Sequence, residues 1–173
     1  ITVIITDSNG VTYTVVTNSN GAYTQTVPAG NTTVDIADND TDLPAGVVLT
    51  GGSSDPTTVN VPGGGTVRDD TGYVLLANIG DFVWLDLNGD GVQDANEPGL
   101  SDVVVELTLP NSTVITTTTG PNGYYNFSDL RPGTYTIAVD TATLPDGVSQ
   151  TFDRDGTLND STTVTLVSNG SLT

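Results

Sequence analysis

An all-β fold built of two tandem β-sandwich domains is what this sequence predicts, and three observations predict it. Thr, Val, Gly, Asn and Asp dominate the 173 residues, while good helix formers are scarce. Apolar and polar residues alternate, as in Tyr135-Thr136-Ile137-Ala138-Val139, the two-residue period of a half-buried strand. Residues 1–77 and 78–173 also repeat one another, at a length that makes each copy a small domain rather than a solenoid unit.

Taken in order, the paired segments locate the strands. Ile1-Thr2-Val3-Ile4-Ile5-Thr6 matches Val103-Val104-Val105-Glu106-Leu107-Thr108, a β-branched run in both copies. Asn20-Gly21-Ala22-Tyr23 matches Asn122-Gly123-Tyr124-Tyr125, where Asn-Gly marks a turn because both residues tolerate positive φ. Ala29-Gly30-Asn31-Thr32-Thr33-Val34 matches Pro132-Gly133-Thr134-Tyr135-Thr136-Ile137, and Leu43-Pro44-Ala45-Gly46-Val47 matches Leu144-Pro145-Asp146-Gly147-Val148. Thr57-Thr58-Val59 matches Thr162-Thr163-Val164. Several short strands with turns between them make a sandwich. Tyr73-Val74-Leu75-Leu76 runs through Ala77-Asn78 almost directly into Ile79, which predicts a short, stiff junction.

The copies are unequally complete. Copy 1 has no counterpart of residues 78–102, and copy 2 stops near the equivalent of Arg68, before a counterpart of Tyr73-Val74-Leu75-Leu76. Two readings follow: a segment of a longer repeat array, or a fibre in which neighbouring copies supply the missing strands, since an unpaired sheet edge exposes a row of backbone donors and acceptors.

The segment from Asp86 to Glu97 has the pattern of a twelve-residue calcium loop. Asp86, Asn88, Asp90 and Asp94 supply side-chain oxygens at positions 1, 3, 5 and 9. Gly91 stands where the chain turns sharply, Val92 offers its carbonyl, and Glu97 closes the ring. Calcium is a hard cation that wants six to eight oxygens, and this spacing wraps them round one point. The flanks, Ile79-Gly80-Asp81-Phe82-Val83-Trp84-Leu85 and Pro98-Gly99-Leu100 before Val103, are strand formers with a turn signal. The loop therefore joins two strands, and the helix opening of a calcium sensor is not open to it.

Charge narrows the partners. Net charge is -18, from 21 acidic residues against Arg68, Arg131 and Arg154. Such a surface repels nucleic acid and anionic membranes, both of which need neutralising Lys or Arg. Cys is absent, so no disulfide staples the domains, although export is compatible with that. No basic region followed by an apolar run and no long apolar segment occurs, so membrane insertion is not expected.

The stretch from Ile79 to Asp86, with Asn88, Asp90-Gly91, Gln93-Asp94 and Glu97-Pro98-Gly99-Leu100, resembles the opening of SdrD B-like domains. Thr119-Gly120, Asn122-Gly123-Tyr124-Tyr125-Asn126-Phe127 and Leu130-Arg131-Pro132-Gly133-Thr134-Tyr135 are similar to the same family, a relative of the collagen-adhesin B (CNA-B) repeats. The resemblance covers residues 79–167 well and residues 1–76 as a degenerate copy. It implies a transthyretin-like or Ig-like β-sandwich, bacterial export to the cell surface, repeated domains that hold a binding region away from the wall, and calcium on Asp86, Asn88, Asp90, Asp94 and Glu97. Many CNA-B relatives carry a Lys–Asn isopeptide bond; this chain has no Lys, so that crosslink is impossible and calcium is the one evident staple.

Other motifs yield to context. Phe152-Asp153-Arg154-Asp155-Gly156-Thr157-Leu158-Asn159-Asp160 reproduces the first motif of haloacid-dehalogenase phosphatases, but that motif ends a strand of an α/β domain and needs later cationic partners. Asp153, Asp155 and Asp160 are read instead as a loop and a second candidate calcium site, with a solvated acidic turn as the plainer reading. Asp70-Thr71-Gly72 is the aspartic-protease tripeptide in a single copy, where the chemistry needs two; it reads as a turn, or as carboxylates for a cation at the domain junction. Asp38, Asp40 and Asp42 read as a solvated run. With no His or Cys the common nucleophile–base pairs are absent, and no catalytic residue is assigned. Sequons begin at Asn31, Asn39, Asn111, Asn126, Asn159 and Asn169, as expected in a chain so rich in Asn and Thr. Trp84 and Phe127 are expected in the core.

The functional expectation is a calcium-rigidified extracellular stalk or fibre protomer, partnered by neighbouring repeats or copies of itself. The contrasting one is an adhesive module for a host protein or glycan, which predicts an exposed aromatic or apolar patch.

Overall fold

The computed structural model describes residues 1–51 and 53–167, so the sequon at Asn169 lies outside the described residues. The chain divides into two compact units between Val74 and Leu75. Among the described residues every regular element is a β-strand except one 3-10 turn (Thr141–Thr143).

Unit 1 contains β1 (Thr2–Thr6), β2 (Thr12–Val16), β3 (Gly30–Ile36), β4 (Val47–Leu49), β5 (Thr57–Val61) and β6 (Tyr73–Leu75), the last reaching one residue past the boundary. An antiparallel sheet runs in the order β2-β1-β3-β5, and β4 pairs with β6 in a second, smaller sheet. The inward-facing Val3, Ile5, Val34 and Ile36 are buried and form its core, each such side chain contributing about 1.5–3 kcal/mol when fully buried.

Unit 2 contains β7 (Ala77–Phe82), β8 (Val104–Thr108), β9 (Val114–Thr118), β10 (Tyr124–Leu130), β11 (Gly133–Val139) and β12 (Ser161–Leu166). Its four-stranded sheet runs β12-β11-β8-β9, the order of unit 1 repeated strand for strand, with β8 in the place of β1. A second sheet pairs β10 with β7 antiparallel, Phe127 opposite Ile79, with a bulge before Leu130 meets Ala77. The core lies between the two sheets: Val105, Leu107, Tyr135, Ile137, Val164 and Leu166 from one face Ile79, Phe127 and Leu130 from the other. Both units are thus sandwiches. Phe127 is in this core as expected. Trp84 is not: β7 ends at Phe82, and Trp84 lies half-buried beyond it, paired by an isolated bridge with Gly99.

Several carboxylates that read as surface charge are structural. Asp7 is buried at the β1–β2 hairpin, accepting hydrogen bonds from the Asn9 N–H (2.8 Å), the Val11 N–H (2.9 Å) and the Tyr13 hydroxyl (3.0 Å). Burial pushes its pKa up, but the Val11 and Asn9 amides and Tyr13 outweigh that and hold it below the ordinary value. A depressed folded-state pKa gives stability that is present above the unfolded value, near ~4, and is lost as pH falls through the folded value. Asp7→Asn is therefore expected to weaken unit 1 at neutral pH and to leave it less sensitive to acid. Urea melts of both proteins at neutral and acid pH check this; parallel losses at every pH would refute it. Asp40 behaves similarly, accepting from the N–H of Thr2 and of Asp42, which lowers its pKa and pins the start of β1. Of the run Asp38, Asp40 and Asp42, Asp40 thus fastens a turn, while Asp38 and Asp42 are exposed as the solvated reading has them.

Candidate metal site

The loop begins where β7 ends, and its two sides are tied before any acidic residue is reached. The Val83 N–H donates to the Gly123 carbonyl (2.9 Å), the Leu100 N–H to the Val83 carbonyl (2.8 Å) and the Leu85 N–H to the Pro98 carbonyl (2.9 Å). With the Trp84–Gly99 bridge these bonds make a neck that sets Asp86 and Glu97 at its mouth. The neck depends on two glycines. A Cβ on Gly99 would stand 2.0 Å from the Asn122 carbonyl oxygen, and one on Gly123 would stand 2.1 Å from the Val83 oxygen. Gly123 also holds φ +75, a left-handed conformation that favours glycine.

Beyond the neck the oxygen-bearing side chains fold into one network. The half-buried Asp86 accepts from the Gly89 N–H (2.6 Å) and the Gly91 N–H (3.0 Å). Burial opposes ionisation there, but the Gly91 amide, the Thr151 side chain and the Gly89 amide prevail and lower the Asp86 pKa. The Asn88 amide group donates to Asp90 (3.0 Å) and to Asp94 (3.2 Å), so positions 3, 5 and 9 meet. Asp90 accepts from the Val92 N–H (2.8 Å). Glu97 reaches back across the ring, its two oxygens taking the Leu87 N–H (2.8 Å) and the Asp94 N–H (3.1 Å). Gly89 and Gly91 turn the chain at φ +75 and +74.

All the side-chain donors that a hard cation would need are on this loop, and all are oxygens. The fit is in donor type and order. As placed, the carboxylates are held by loop amides, and among the described residues no three acidic side chains gather closely enough to grip an ion.

The second candidate is weaker still. Asp153 and Asp155 shape a turn: the Gly156 N–H donates to the Asp153 carbonyl (3.0 Å), the Thr157 N–H to the Asp155 carboxylate (2.8 Å), and Gln150 donates to the Asp153 carboxylate (2.9 Å). Asp160 presents its backbone instead, its N–H to Gln150 (3.0 Å) and its carbonyl to the Val139 N–H (2.9 Å). Its counterpart Asp55 uses its side chain, accepting from the Ile36 N–H (2.8 Å) and from the Tyr73 hydroxyl, whose pKa burial and that bond push upward. Gly72, in the Asp70-Thr71-Gly72 tripeptide, lends its carbonyl to the Thr50 N–H (2.8 Å), a sheet contact.

Sequence reasoning missed Thr151 and Phe152. Thr151 reaches Asp86, and the Phe152 ring lies 5.7 Å from that of Trp84. Both border a cavity of about 390 Å³ in unit 2, and the buried Trp84 Nε1 has no hydrogen-bond partner among the described residues. Only their distance along the chain hid them; nothing local marks a residue 65 positions on as a neighbour of Asp86.

The SdrD B-like domain model matches residues 77–170. Serine-aspartate repeat-containing protein F of Staphylococcus epidermidis is 40% identical over 154 residues, 84% of this chain and 8% of that protein. Bone sialoprotein-binding protein of Staphylococcus aureus is 40% identical over 136 residues, 77% of this chain and 11% of that protein. The chain thus spans about a tenth of the length of these curated relatives. Among solved structures, the Bacillus anthracis TIE protein aligns with 98% of this chain and 28% of its own at 19% identity and a TM-score of 0.42.

Proposed function

Since the chain belongs to the SdrD B-like domain family, we propose that it is a non-enzymatic, calcium-stabilised structural repeat of a bacterial extracellular surface protein, acting as a rigid stalk or fibre protomer. The observation that carries this reading is the neck: two backbone hydrogen bonds and a bridge join the ends of a loop that carries Asp86, Asn88, Asp90, Asp94 and Glu97 in calcium-binding order, and a third bond ties it to Gly123. A bound calcium would supply positive charge to a ring of carboxylates that otherwise repel. Asp86 and Glu97 would anchor it from the neck, Asn88, Asp90 and Asp94 from the exposed arc, and Val92 by its carbonyl. The loop's prior closure reduces the ordering cost of gathering them. Two sandwiches of one topology, repeated along the sequence, suit a repeat-built structural role.

Terbium, which takes calcium sites and is sensitised by nearby indole, tests the site directly. Trp84 is the sole indole and stands two residues before Asp86. Terbium luminescence excited through Trp84 is expected to rise with one-site saturation, to fall on adding calcium, and to be lost in Glu97→Gln. Elemental analysis should then count at least one calcium per chain. No sensitised signal and no bound metal would sink the proposal.

One observation favours the adhesive alternative. Phe82 and Tyr124 are 41% and 48% exposed, and their rings lie 5.3 Å apart across the β7–β10 pair, an aromatic pair offered to solvent. One relative is named for binding bone sialoprotein. If a host protein or glycan is the partner, substituting both aromatics abolishes capture while leaving the calcium count unchanged.

A further inference from the structure

The four-stranded sheet of unit 2 ends on β9, with no strand beyond it among the described residues. This edge belongs to the fold. In unit 1 the equivalent β2 ends its sheet in the same way although β6 is present there, and in unit 2 β7 goes to β10 instead. An edge strand carries a row of unpaired backbone donors and acceptors, which proteins ordinarily blunt with a charge, a proline, a bulge or a covering segment. β9 has none of the first three. It reads Val114-Ile115-Thr116-Thr117-Thr118, its register with β8 is unbroken over all five pairs, and no charged residue occurs between Glu106 and Asp129.

Nor is β9 covered. Four of its five residues are exposed, where β2 alternates exposed and half-buried. Val114 on the outer face is 52% exposed, and Ile115, opposite the buried Leu107 and so facing inward, is still 38% exposed. A strand laid beside β9 would cover both.

The strand that fits is β9 itself. Paired antiparallel about Thr116 with the β9 of a second copy, it sets Thr116 against Thr116, Ile115 against Thr117 and Val114 against Thr118, β-branched pairs of the kind that stabilise neighbouring strands. Every pair is uncharged, which matters in a chain of net charge -18. A basic partner would be drawn to the acidic surface elsewhere, since this strip offers it no charge. The carboxylate nearest in register is Glu106, opposite Thr116 on β8. Its two copies would lie three strand spacings apart, about 14–15 Å. That exceeds the screening length of about 8 Å at physiological salt but falls well inside the roughly 30 Å at 0.01 M.

We propose that β9 is a self-association edge, through which two copies of this chain join antiparallel, side by side, into one continuous sheet. The contact is isologous, the same strand serving on both sides. Five residues a side fall short of the roughly 20–30 of a stable complex, so a single contact is weak and gains by repetition. Neither bound calcium nor the stalk reading is needed for it.

Sedimentation of the full chain from micromolar to millimolar concentration tests this. At about 0.15 M salt a monomer–dimer equilibrium is expected, weakened at least about tenfold at about 0.01 M, where the Glu106 carboxylates repel. Amide exchange in β9 is expected to slow as chain concentration rises. Thr116→Lys sets like charges directly opposite and abolishes the dimer, Thr116→Glu does the same, and mixing equal amounts of the two restores it. Thr14→Lys, in the middle of β2, leaves dimerisation unchanged. A monomer under all conditions overturns the proposal, as does association that strengthens when salt is removed. So does a mixture of the two charged variants that stays monomeric, or loss of the dimer in Thr14→Lys, which would move the contact to β2. The salt series and the exchange of the unsubstituted chain decide the matter even where a variant folds poorly.

Discussion

Chelating calcium is expected to lower the melting temperature of unit 2 by roughly 10–20 °C while leaving unit 1 nearly unmoved. An ion present at a hundred times its dissociation constant adds about 2.7 kcal/mol to the state that binds it. A domain of this size shifts by about 4–8 °C per kcal/mol. The contribution is large against a total of about 5–15 kcal/mol, and no disulfide or Lys-based crosslink is available to replace it. Unit 1 has no such loop, so a calorimetric scan in calcium and again in chelator separates the two. An unchanged unit 2 transition would remove calcium from the account of stability even if the metal binds.

Gly99→Ala should be among the most damaging single-methyl changes at the described residues. The added carbon would overlap the Asn122 carbonyl at 2.0 Å and the Gly123 nitrogen at 2.5 Å, and both obstacles are backbone, which cannot swing aside as a side chain can. Relief requires parting the loop neck from the turn before β10, with the Val83–Gly123 hydrogen bond among the losses. The expected cost is about 4 kcal/mol or more, in the exceptional range for a point mutation. Gly147→Ala is the control: unlike Gly99, Gly147 holds a positive φ of +81, but an added Cβ there meets nothing within 4 Å, so only backbone strain of about 1–2 kcal/mol applies. Denaturant unfolding of the two variants should rank them in that order, and equal losses would show that the interlock is not what holds the neck.

The strands that carry most of the fold were legible because alternation and β-branching are local signals. β1, β3, β8 and β11 bury every second residue as their sequences indicate. The repeat was legible too, and the matching strand orders show that it is a repeat of topology. Residues 22–27, the counterpart of β10, show the boundary of that method: their burial alternates as a strand's would, yet they form no strand. A strand also needs a partner, and partners are set at long range. The same boundary explains Trp84, whose aromatic character suggested the core but whose place is fixed by a bridge to Gly99 beyond the end of β7. Of the metal site, ligand order was readable, while the neck, Thr151 and the Gly99–Gly123 contact were not. Asp7, Asp40 and Asp55 were hidden for another reason: a carboxylate that caps amides looks, in sequence, like one that merely faces water.

The neck also has a mechanical meaning. If the protein serves as the proposed stalk, it is pulled from its ends, and tension entering through β7 must cross the loop to reach β8. The Leu85–Pro98 hydrogen bond short-circuits the chain between those residues, so residues 85–98 carry no load while it holds. Drawn out, they would span roughly 46–50 Å, slack that the loop keeps in reserve. Under such a load the unit would be expected to pay out this slack before its core is exposed, and to recover by re-closing a few backbone bonds instead of refolding a sandwich.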